Sequence, residues 1–413
     1  MASTRAPDLG HLTTATSRAI LLRAASRARD GALALREGTA VRLFGHGKTL
    51  ATVTVNDPRS YRALLTSGSV GLGRSYVEGW WDADDLTGVV QALYRWSTPM
   101  REVLDRLGRA PLPWIGPGPR RPDLSPRADR RNIAAHYDLS NEFFGLFLSA
   151  DMMYSSALWS SDPDTLEVAS TRKLETVCRR LALTSNDHLL EIGTGWGGFA
   201  LHAARHYGCR VTTTTISRRQ YELARERIRA AGLQQRIDVL LEDYRELTGR
   251  YDKLVSIEMI EAVGADHLEE YFATLGRLLQ PHGLAVLQAI TIEDHRYEQA
   301  LRTVDFIKRH VFPGSFIPSL SALLSAKTRA SDMALVALED FGDSYARTLQ
   351  AWRKRFMSRL PEVRALGFDE RFIRLWEFYL AYCEGGFRER SIGVAHLTLA
   401  RPQWRHAAGE RAP

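Results

Sequence analysis

The pattern of hydrophobic and polar positions divides the chain into two parts. Residues 32–56 alternate apolar and polar side chains, which predicts a small domain with a hairpin, and helical patterns follow to about residue 106. Beyond residue 132, short apolar runs alternate with segments of helical period. The runs predicted to be strands are Leu189–Ile192, Arg210–Thr215, Ile237–Leu241, Lys253–Ile257 and Leu284–Ile290. This order predicts an α/β fold, a mostly parallel sheet with helices on both faces, preceded by a smaller N-terminal α+β domain.

A proline-rich segment separates the two parts. Residues 110–119 contain four prolines, which cannot continue a helix because proline lacks the backbone N–H donor. A basic group follows, with Arg120, Arg121, Arg127, Arg130 and Arg131. We therefore predict an N-terminal domain over residues 1–109, a linker over residues 110–131 and a second domain over residues 132–413.

The strand Leu189–Ile192 runs into a glycine-rich turn. Gly193, Gly195 and Gly197 stand at alternate positions, where a backbone without side chains can turn tightly and approach a ligand closely. Their spacing differs from the G-x-G-x-x-G fingerprint, which carries a pyrophosphate at a helix N-terminus, so a ligand without phosphates is favoured. An acidic residue before the glycines, here Glu191, suits S-adenosylmethionine (SAM) as the ligand. The alternative is that these glycines form a strand-to-helix turn that binds no ligand.

Polar residues follow three further strands of the predicted sheet. They are Thr215, Ser217 and Gln220 after the second strand, Glu242, Asp243 and Tyr244 after the third, and Glu258 and Glu261 after the fourth. Each group alone is also explained as a helix cap. Because the carboxyl ends of parallel strands meet at one edge of a sheet, all three groups converge on the glycine turn. This convergence predicts a ligand site.

Composition excludes several classes of protein. With 413 residues, of which 45% are hydrophobic, the chain is large enough for two globular parts. Cys178, Cys209 and Cys383 are an odd number without metal-ligand spacing, which argues against a disulfide framework and a metal site and favours the cytoplasm. Neither a signal peptide nor an apolar run of about 20 residues is visible. The net charge is +7, but the sequence shows no nucleic-acid recognition motif with interleaved base-stacking aromatic residues, so binding to nucleic acid is disfavoured.

Basic residues near the N-terminus predict a contact with lipid. Arg18, Arg23, Arg27 and Arg29 interleave with apolar residues such as Ile20, as in a basic amphipathic helix that lies on an anionic membrane. A solvated helix explains the same pattern, so both interpretations stay open. The first predicts a cytoplasmic protein that is peripheral on the inner face of the membrane. Engagement of the membrane at two points would also favour a homodimer.

Six short motifs together resemble one family. They are His136–Asn141, Met153–Ser156, Glu191–Gly197, Thr215–Ser217 with Gln220, Glu258–Glu261 and Phe312–Gly314. From about Asn132 to Thr398 the chain is similar to the cyclopropane-fatty-acid synthases and the related mycolic-acid and fatty-acid methyltransferases, which use SAM to alkylate alkenes in lipids. Segment Gly73–Trp81 also looks like the leading domain of the members that act on phospholipids. The resemblance implies the Rossmann-like sheet of SAM-dependent methyltransferases over residues 132–413.

The resemblance also assigns roles to residues. Those that would surround SAM are Tyr154, Ser155, Gly193, Gly195, Thr215, Gln220, Glu242 and Tyr244. In the family, the base is thought to be a bound bicarbonate held by a Cys, a Glu, a His and a Tyr. The Glu falls on Glu261 and the Tyr on Tyr345, whereas Ser156 and Gln288 replace the Cys and the His. Both replacements donate hydrogen bonds, so a bicarbonate site of altered geometry stays open. Glu258 is either a second acid near the substrate or a carboxylate satisfied by a backbone amide.

These two replacements bear on the product. A displaced base allows a hydride shift before deprotonation and favours a methylene branch, whereas prompt deprotonation closes a cyclopropane ring. Gln288–Thr291 and Leu366–Glu370 look most like actinobacterial methyltransferases that make the 10-methylene precursor of 10-methylstearate (tuberculostearate) from oleoyl phospholipid. We therefore predict a 10-methylene product from unsaturated phospholipid acyl chains, with the ring as the alternative. A separate reductase partner would saturate the branch.

Two further functions stay open. Some methyltransferases of small amines share this scaffold, although the leading domain and Phe306–Phe312, interpreted as facing a membrane, favour a lipid substrate. The other alternative is a non-catalytic protein that binds SAM or lipid, in which Ser156 and Gln288 mark a decayed site. The presence of Glu261 and Tyr345 argues against decay.

Overall fold

The computed structural model describes residues 13–97 and 139–405. The predicted linker over residues 110–131 and the first part of the motif His136–Asn141 lie outside these residues. Within the described chain, the helices are α1 (Thr14–Ala25), α2 (Arg59–Val77), α3 (Leu86–Arg95), α4 (Asn141–Gly145), α5 (Leu166–Arg180), α6 (Gly198–Tyr207), α7 (Arg218–Ala230), α8 (Leu268–Leu278), α9 (Asp294–Arg302), α10 (Phe306–His310), α11 (Leu320–Ala330), α12 (Gly342–Ser358), α13 (Leu360–Ala365) and α14 (Glu370–Arg388). The strands are β1 (Ala32–Glu37), β2 (Ala40–Phe44), β3 (Thr49–Val55), β4 (Trp81–Ala83), β5 (His188–Ile192), β6 (Arg210–Thr214), β7 (Ile237–Leu240), β8 (Tyr251–Ile257), β9 (Leu279–Ile292), β10 (Ala334–Asp340) and β11 (Ile392–Ala400).

The chain forms two units, and neither is continuous in sequence. The first unit combines the N-terminal residues with Glu298–Pro313 and Arg353–Ser391. The second unit contains the remaining described residues from position 139 onwards. Two helical segments of the domain predicted over residues 132–413 therefore belong to the first unit.

A small four-stranded sheet with the order β2-β1-β3-β4 forms the centre of the first unit. Strand β1 pairs antiparallel with β2 and parallel with β3, and β3 pairs antiparallel with β4. The connection from β1 to β2 passes through Gly38 at a φ of +58°, a conformation that tight hairpins require. The alternating pattern of residues 32–56 therefore predicted strands and a hairpin correctly.

Helix α1 turns its apolar face into the first unit. Ile20 and Leu21 are at most 9% exposed, and Arg18 donates a hydrogen bond to Glu37 Oε1 over 2.6 Å. A helix that lies on lipid needs its apolar face free to enter the membrane. The interpretation of this segment as a membrane-surface helix is therefore wrong for α1, because that face is already buried in protein.

Phe306 is also part of the core of the first unit. Its side chain is fully buried, and its ring centroid lies 4.8 Å from that of Phe378. A Cβ at Gly73 would come within 2.2 Å of the Phe306 ring, so the helices approach more closely than a side chain at position 73 would allow. The interpretation of Phe306–Phe312 as facing a membrane is thus wrong for Phe306.

The second unit is built on a seven-stranded sheet with the order β10-β11-β9-β8-β5-β6-β7. Strands β5 to β9 correspond to the five predicted strands and run parallel, whereas β11 runs antiparallel to both of its neighbours. Helices pack around the sheet, and the predicted α/β fold is confirmed. The strand order reverses at β5, which has β6 on one side and β8 on the other. Open parallel sheets bind their ligands at such a point of reversal.

The described residues give no support to a membrane span or a metal centre. In these parts of the chain, every helix is too short or too polar to cross a bilayer. They also contain no group of His, Cys, Asp and Glu side chains that could hold a metal ion. The three cysteines are free thiols, of which Cys178 and Cys209 are buried.

Candidate active site

The glycine turn follows strand β5 in a left-handed conformation. The φ angle is +102° at Gly193, +50° at Gly195 and +83° at Gly197, values that other residues rarely adopt. The backbone N–H groups of Gly193 and Thr194 donate to Thr214 O over 3.1 and 3.0 Å, which ties the turn to the end of β6. A Cβ at Gly195 would meet no protein atom within 4 Å. The turn therefore leaves open space beside its backbone.

An open cleft lies at this turn. Ten of the twelve residues predicted to bind SAM line it: Tyr154, Ser155, Glu191, Gly193, Gly195, Thr215, Gln220, Glu242, Asp243 and Tyr244. The other two, Gly197 and Ser217, stand at the N-caps of α6 and α7, where Ser217 Oγ accepts a hydrogen bond from the Gln220 backbone. For Ser217, the explanation as a helix cap therefore holds.

The lining of the cleft provides groups that fit SAM. Thr215 Oγ1 donates to Gln220 Oε1 over 2.8 Å and orients that amide. The side chain of Glu242 is exposed, and its carboxylate can accept hydrogen bonds from the hydroxyl groups of a ligand. Tyr154 and Tyr244 add aromatic faces, which attract a positively charged sulfur. Together with the open space at Gly195, these residues fit an adenosine, an amino acid and a sulfonium.

Aromatic contacts hold Tyr154 in the wall of the cleft. Its ring centroid lies 5.1 Å from that of Phe144 and 5.3 Å from that of Trp352. Phe144 also packs 4.9 Å from Trp196 in the glycine turn, and Trp196 Nε1 donates to Asn141 Oδ1 over 2.7 Å. Asn141 ends the first of the six motifs, so this residue acts by fixing the turn.

Two ionisable groups, Glu191 and Lys173, are buried near the turn. Glu191 is 3% exposed and accepts a hydrogen bond from Thr213 Oγ1 over 2.6 Å, and burial raises its pKa to about 8. Lys173 is fully buried and its Nζ donates to Ser155 Oγ over 2.8 Å. Burial lowers the pKa of Lys173 to about 8, although nearby carboxylates, first among them Glu258, oppose this change.

Lys173 is not among the predicted site residues, although the sequence contains a signal for it. The buried face of α5 consists of Leu166, Ala169, Ser170, Lys173, Leu174, Val177 and Cys178. A lysine therefore stands in the apolar stripe of an amphipathic helix, where a charged side chain is rare unless it has a partner.

Three predicted catalytic residues converge on the carboxylate of Glu258. Ser156 donates its backbone N–H to Oε1 over 2.8 Å, and Gln288 donates its amide Nε2 to the same oxygen over 2.7 Å. Tyr345 donates its hydroxyl to Oε2 over 2.7 Å. Glu258 is partly exposed and lines the cleft. Both interpretations of Glu258 therefore apply, since it is an acid at the cleft and one of its donors is a backbone amide.

A bicarbonate ion does not fit among these donors. The Ser156 hydroxyl donates to Ala157 O over 2.9 Å, and the donors of Gln288 and Tyr345 are used by Glu258. A second anion would have to displace the Glu258 carboxylate and remain beside its negative charge, which is unfavourable. The place that the resemblance gives to bicarbonate thus holds a carboxylate of the chain itself.

Glu261, the fourth predicted catalytic residue, makes different contacts. Its Oε1 accepts a hydrogen bond from the Ile290 backbone over 2.6 Å, and its buried Oε2 has no hydrogen-bond partner among the described residues. Burial, together with repulsion by Glu258, raises the pKa of Glu261 to about 8. At neutral pH, Glu261 is therefore mostly protonated.

His396 holds Gln288 in place, and sequence analysis did not identify it. The two residues are partners on neighbouring strands β9 and β11, and His396 Nε2 lies 2.9 Å from Gln288 Oε1. Burial lowers the pKa of His396 well below its ordinary value, so the ring is neutral. Because the amide oxygen can only accept, we assign the proton to Nε2. The Gln288 amide nitrogen is thereby turned towards Glu258.

Comparison with known proteins identifies the family. Residues 124–397 match the family model described as mycolic acid cyclopropane synthetase. The chain belongs to this family. The resemblance stated from the six motifs is thus confirmed.

Relatives within the family include enzymes with two kinds of product. Tuberculostearic acid methyltransferase UfaA1 of Mycobacterium tuberculosis is 39% identical over 352 residues, which cover 82% of this chain and 81% of that protein. Cyclopropane-fatty-acyl-phospholipid synthase of Escherichia coli (strain K12) is 34% identical over 361 residues, 86% of this chain and 89% of that protein.

A solved structure supports the assignment of SAM. Mycolic acid cyclopropane synthase CmaA1, complexed with SAH and CTAB, has a TM-score of 0.62 and 27% identity, and covers 68% of this chain and 99% of its own. SAH is the demethylated form of SAM. The chain is therefore a SAM-dependent methyltransferase, as the resemblance to the family implied.

The burial of Glu191 predicts how stability changes with pH. Its pKa is 4.5 in an unfolded chain and about 8 in the fold, so the folded protein binds the extra proton between these values. This contribution to the free energy of unfolding is complete below about pH 4.5 and is lost as the pH rises through 8, an effect of the order of 5 kcal/mol. In urea titrations from pH 5 to 8, the free energy of unfolding should fall less steeply with pH in Glu191→Gln than in the wild type. Glu226→Gln, a change at an exposed carboxylate, should keep the slope of the wild type, and equal slopes in all three proteins would contradict the prediction.

Proposed function

We propose that this methyltransferase alkylates the cis double bond of unsaturated phospholipid acyl chains of the oleoyl type. Its product would be a 10-methylene branched chain, the precursor of 10-methylstearate. The observation that carries the proposal is a carboxylate, Glu258, held by three donors at the edge of the cleft whose lining fits SAM. The 39% identity with a tuberculostearic acid methyltransferase supports the choice of substrate.

The residues of the cleft have distinct tasks in this proposal. SAM supplies a methyl group attached to a positively charged sulfur. The faces of Tyr154 and Tyr244 attract that charge, and the turn at Gly193 and Gly195 lets the donor approach the backbone. An alkene is a weak nucleophile, so the site must hold it against the methyl group and keep water from the carbocation that follows. The packed rings around Tyr154 exclude water on that side.

Incubation of the purified protein with SAM and liposomes of oleoyl phospholipid tests the proposal. We expect mass spectrometry to show acyl chains heavier by one CH2 group, and NMR to show the two protons of an exocyclic methylene. The same incubation with phosphoethanolamine in place of liposomes is the control for a small amine as substrate. Methylation of the amine with unchanged lipid would contradict the proposal.

A cyclopropane ring on the same substrate is the second candidate product. It is favoured by the 34% identity with the Escherichia coli synthase, which covers more of this chain than the match to UfaA1. Ring and branch have the same mass, so NMR decides between them by the shielded ring protons or the vinylic protons. A ring would leave the assignment of substrate and cofactor intact and correct the product alone.

We also propose that the enzyme works at an anionic membrane surface on the cytoplasmic side. The exposed side chains of Arg23, Arg27 and Arg29 support this, since each basic group near such a surface adds about 1 kcal/mol of attraction. The contact would be electrostatic, because the apolar face of α1 is buried. A homodimer would strengthen it through two points of attachment, and a separate reductase would be needed to saturate a methylene product.

A further inference from the structure

Glu258 has a backbone conformation that residues other than glycine rarely adopt. Its φ angle is +49°, directly after the end of strand β8. The Glu258 N–H donates to Gln288 O over 2.8 Å, so the neighbouring strand holds the residue in this conformation. In this position Glu258 is one of the residues that line the cleft. Backbone strain of this kind persists where the surrounding structure enforces it, and it is common at active sites.

The carboxylate is held firmly and still has room for a proton. An ionised carboxylate offers about four lone-pair sites on its two oxygens. Ser156 and Gln288 use two of them on Oε1, and Tyr345 uses one on Oε2. The fourth site, on Oε2, remains for a proton from a molecule in the cleft. A fixed acceptor with one available lone pair is the geometry of a general base.

We propose that Glu258 is the general base of the reaction and takes the place of a bound bicarbonate ion. The inference rests on the proposed function, because it concerns the proton lost after methyl transfer to a lipid double bond. It adds a catalytic residue of the chain where the family resemblance implies an external anion. Ser156, Gln288 and Tyr345 then become residues that position this base.

The electrons and the proton can be followed through the reaction. The π-electron pair of the substrate double bond forms the new carbon–carbon bond to the methyl group, and the pair of the broken carbon–sulfur bond stays on sulfur. A carbocation is left on the acyl chain, and a hydride shift moves it to the methylated carbon. A C–H bond of the new methyl group then breaks, its proton goes to Glu258 Oε2, and its electron pair forms the exocyclic double bond. Loss of the same proton before the shift would close a ring.

The charge of Glu258 suits this step. A carboxylate beside the cleft stabilises the positive charge that develops on the substrate. Burial raises the pKa of Glu258, whereas its three donors and the nearby Lys173 act in the opposite direction. A carboxylate that is less acidic than an exposed one accepts a proton more readily at neutral pH.

Glu261 is the competing candidate, and its contacts are less suitable. One of its oxygens is occupied by the Ile290 N–H, and its side chain is not part of the lining of the cleft. Repulsion between Glu258 and Glu261 disfavours two negative charges, so one of the two carries a proton. Glu258, with three donors against one for Glu261, is the better place for the charge.

Removal of bicarbonate tests the inference on the wild-type protein. In buffer freed of carbon dioxide, we expect methylation of oleoyl liposomes to continue at a rate within twofold of that in buffer with added bicarbonate. A rate that falls tenfold or more and returns with bicarbonate would overturn the inference and leave the proposed function intact. A wild-type protein that binds SAM and methylates no lipid in either buffer would instead refute the proposed function.

Substitution of Glu258 gives a second and independent test. Glu258→Gln should reduce kcat by about 100-fold or more, the range for loss of a general base, with the dissociation constant of SAM within threefold of the wild type. Without a base, the carbocation should be captured by water, so the residual product should include a chain heavier by one water than the normal product. A structural role would not produce this hydrated product. Glu226→Gln, the same change at an exposed position of α7, should retain full activity.

Chemical rescue completes the test. Glu258→Ala removes the carboxylate and leaves space among the three donors. Formate added to the buffer should therefore raise the turnover rate of this variant at least tenfold. Formate should have no such effect on the wild type or on Glu226→Gln. If Glu258→Gln keeps its activity, or if Glu258→Ala binds SAM normally and formate fails to restore turnover, Glu258 is not the base.

Discussion

Gly195→Leu is expected to weaken SAM binding by about 100-fold or more. Gly195 lines the cleft, and no protein atom lies within 4 Å of the place where its Cβ would stand. A leucine there would extend into space that the ligand needs, while the φ angle of +50° adds a strain of only about 1 to 2 kcal/mol to the fold. Isothermal titration with SAM would give the affinity, and urea denaturation the stability.

Gly232→Leu is the matched control for this prediction. Gly232 has a φ angle of +68°, also lacks protein atoms within 4 Å of its Cβ position, and is not part of the lining of the cleft. Both variants should lose similar stability, and only Gly195→Leu should lose SAM. Equal affinities in the two variants would mean that the glycine turn does not approach the ligand.

Trp352→Ala is expected to reduce the free energy of unfolding by about 3 to 5 kcal/mol, the usual cost of removing a buried tryptophan. Trp352 is 1% exposed, and its ring lies 5.3 Å from that of Tyr154 and 6.1 Å from that of Tyr345. The cavity would also remove the packing partner of both tyrosines. Tyr154 could then move from the wall of the cleft, and Tyr345 could lose its hydrogen bond to Glu258. Activity should therefore fall more steeply than the folded fraction does.

Two variants check this explanation. Trp352→Phe keeps a ring in the core and should recover most of the stability and activity. Tyr221→Ala, which removes an aromatic ring that packs against Arg225 on the surface of α7, should cost about 0.5 kcal/mol or less. Denaturant titration followed by SAM binding separates the two effects. A loss below about 1 kcal/mol in Trp352→Ala would mean that the core closes around the missing ring.

The sequence predicted the parallel strands and the open cleft at the glycine turn because both depend on local signals. Strands β5 to β9 are buried apolar runs bounded by polar residues, and the glycines after β5 are required by the φ angles that the structure has there. Strands β10 and β11 have no counterpart in the prediction. Strand β10 is largely exposed along its length and belongs to the edge of the sheet, where an apolar pattern is weak.

The group of side chains around Glu258 depends on contacts that the sequence does not show. Glu258 and Glu261 are three positions apart, and only the left-handed backbone at Glu258 decides which carboxylate meets Ser156, Gln288 and Tyr345. The role of His396 depends on the register of β11 against β9, which pairs residues a hundred or more positions apart. Such pairings follow from the whole sheet and leave no local pattern.

The position of β11 also determines when the active site is completed during synthesis. Strand β11 lies between β9 and β10, although both are made before it. Until residues 392–400 have left the ribosome, the backbone N–H and C=O groups along one edge of β9 and one edge of β10 have no partner strand. Such edges can pair with other chains and cause aggregation. His396 arrives with this same strand, so the amide that faces Glu258 is not held until then. A nascent chain without residues 392–400 therefore lacks the contact that orients the Gln288 amide towards Glu258.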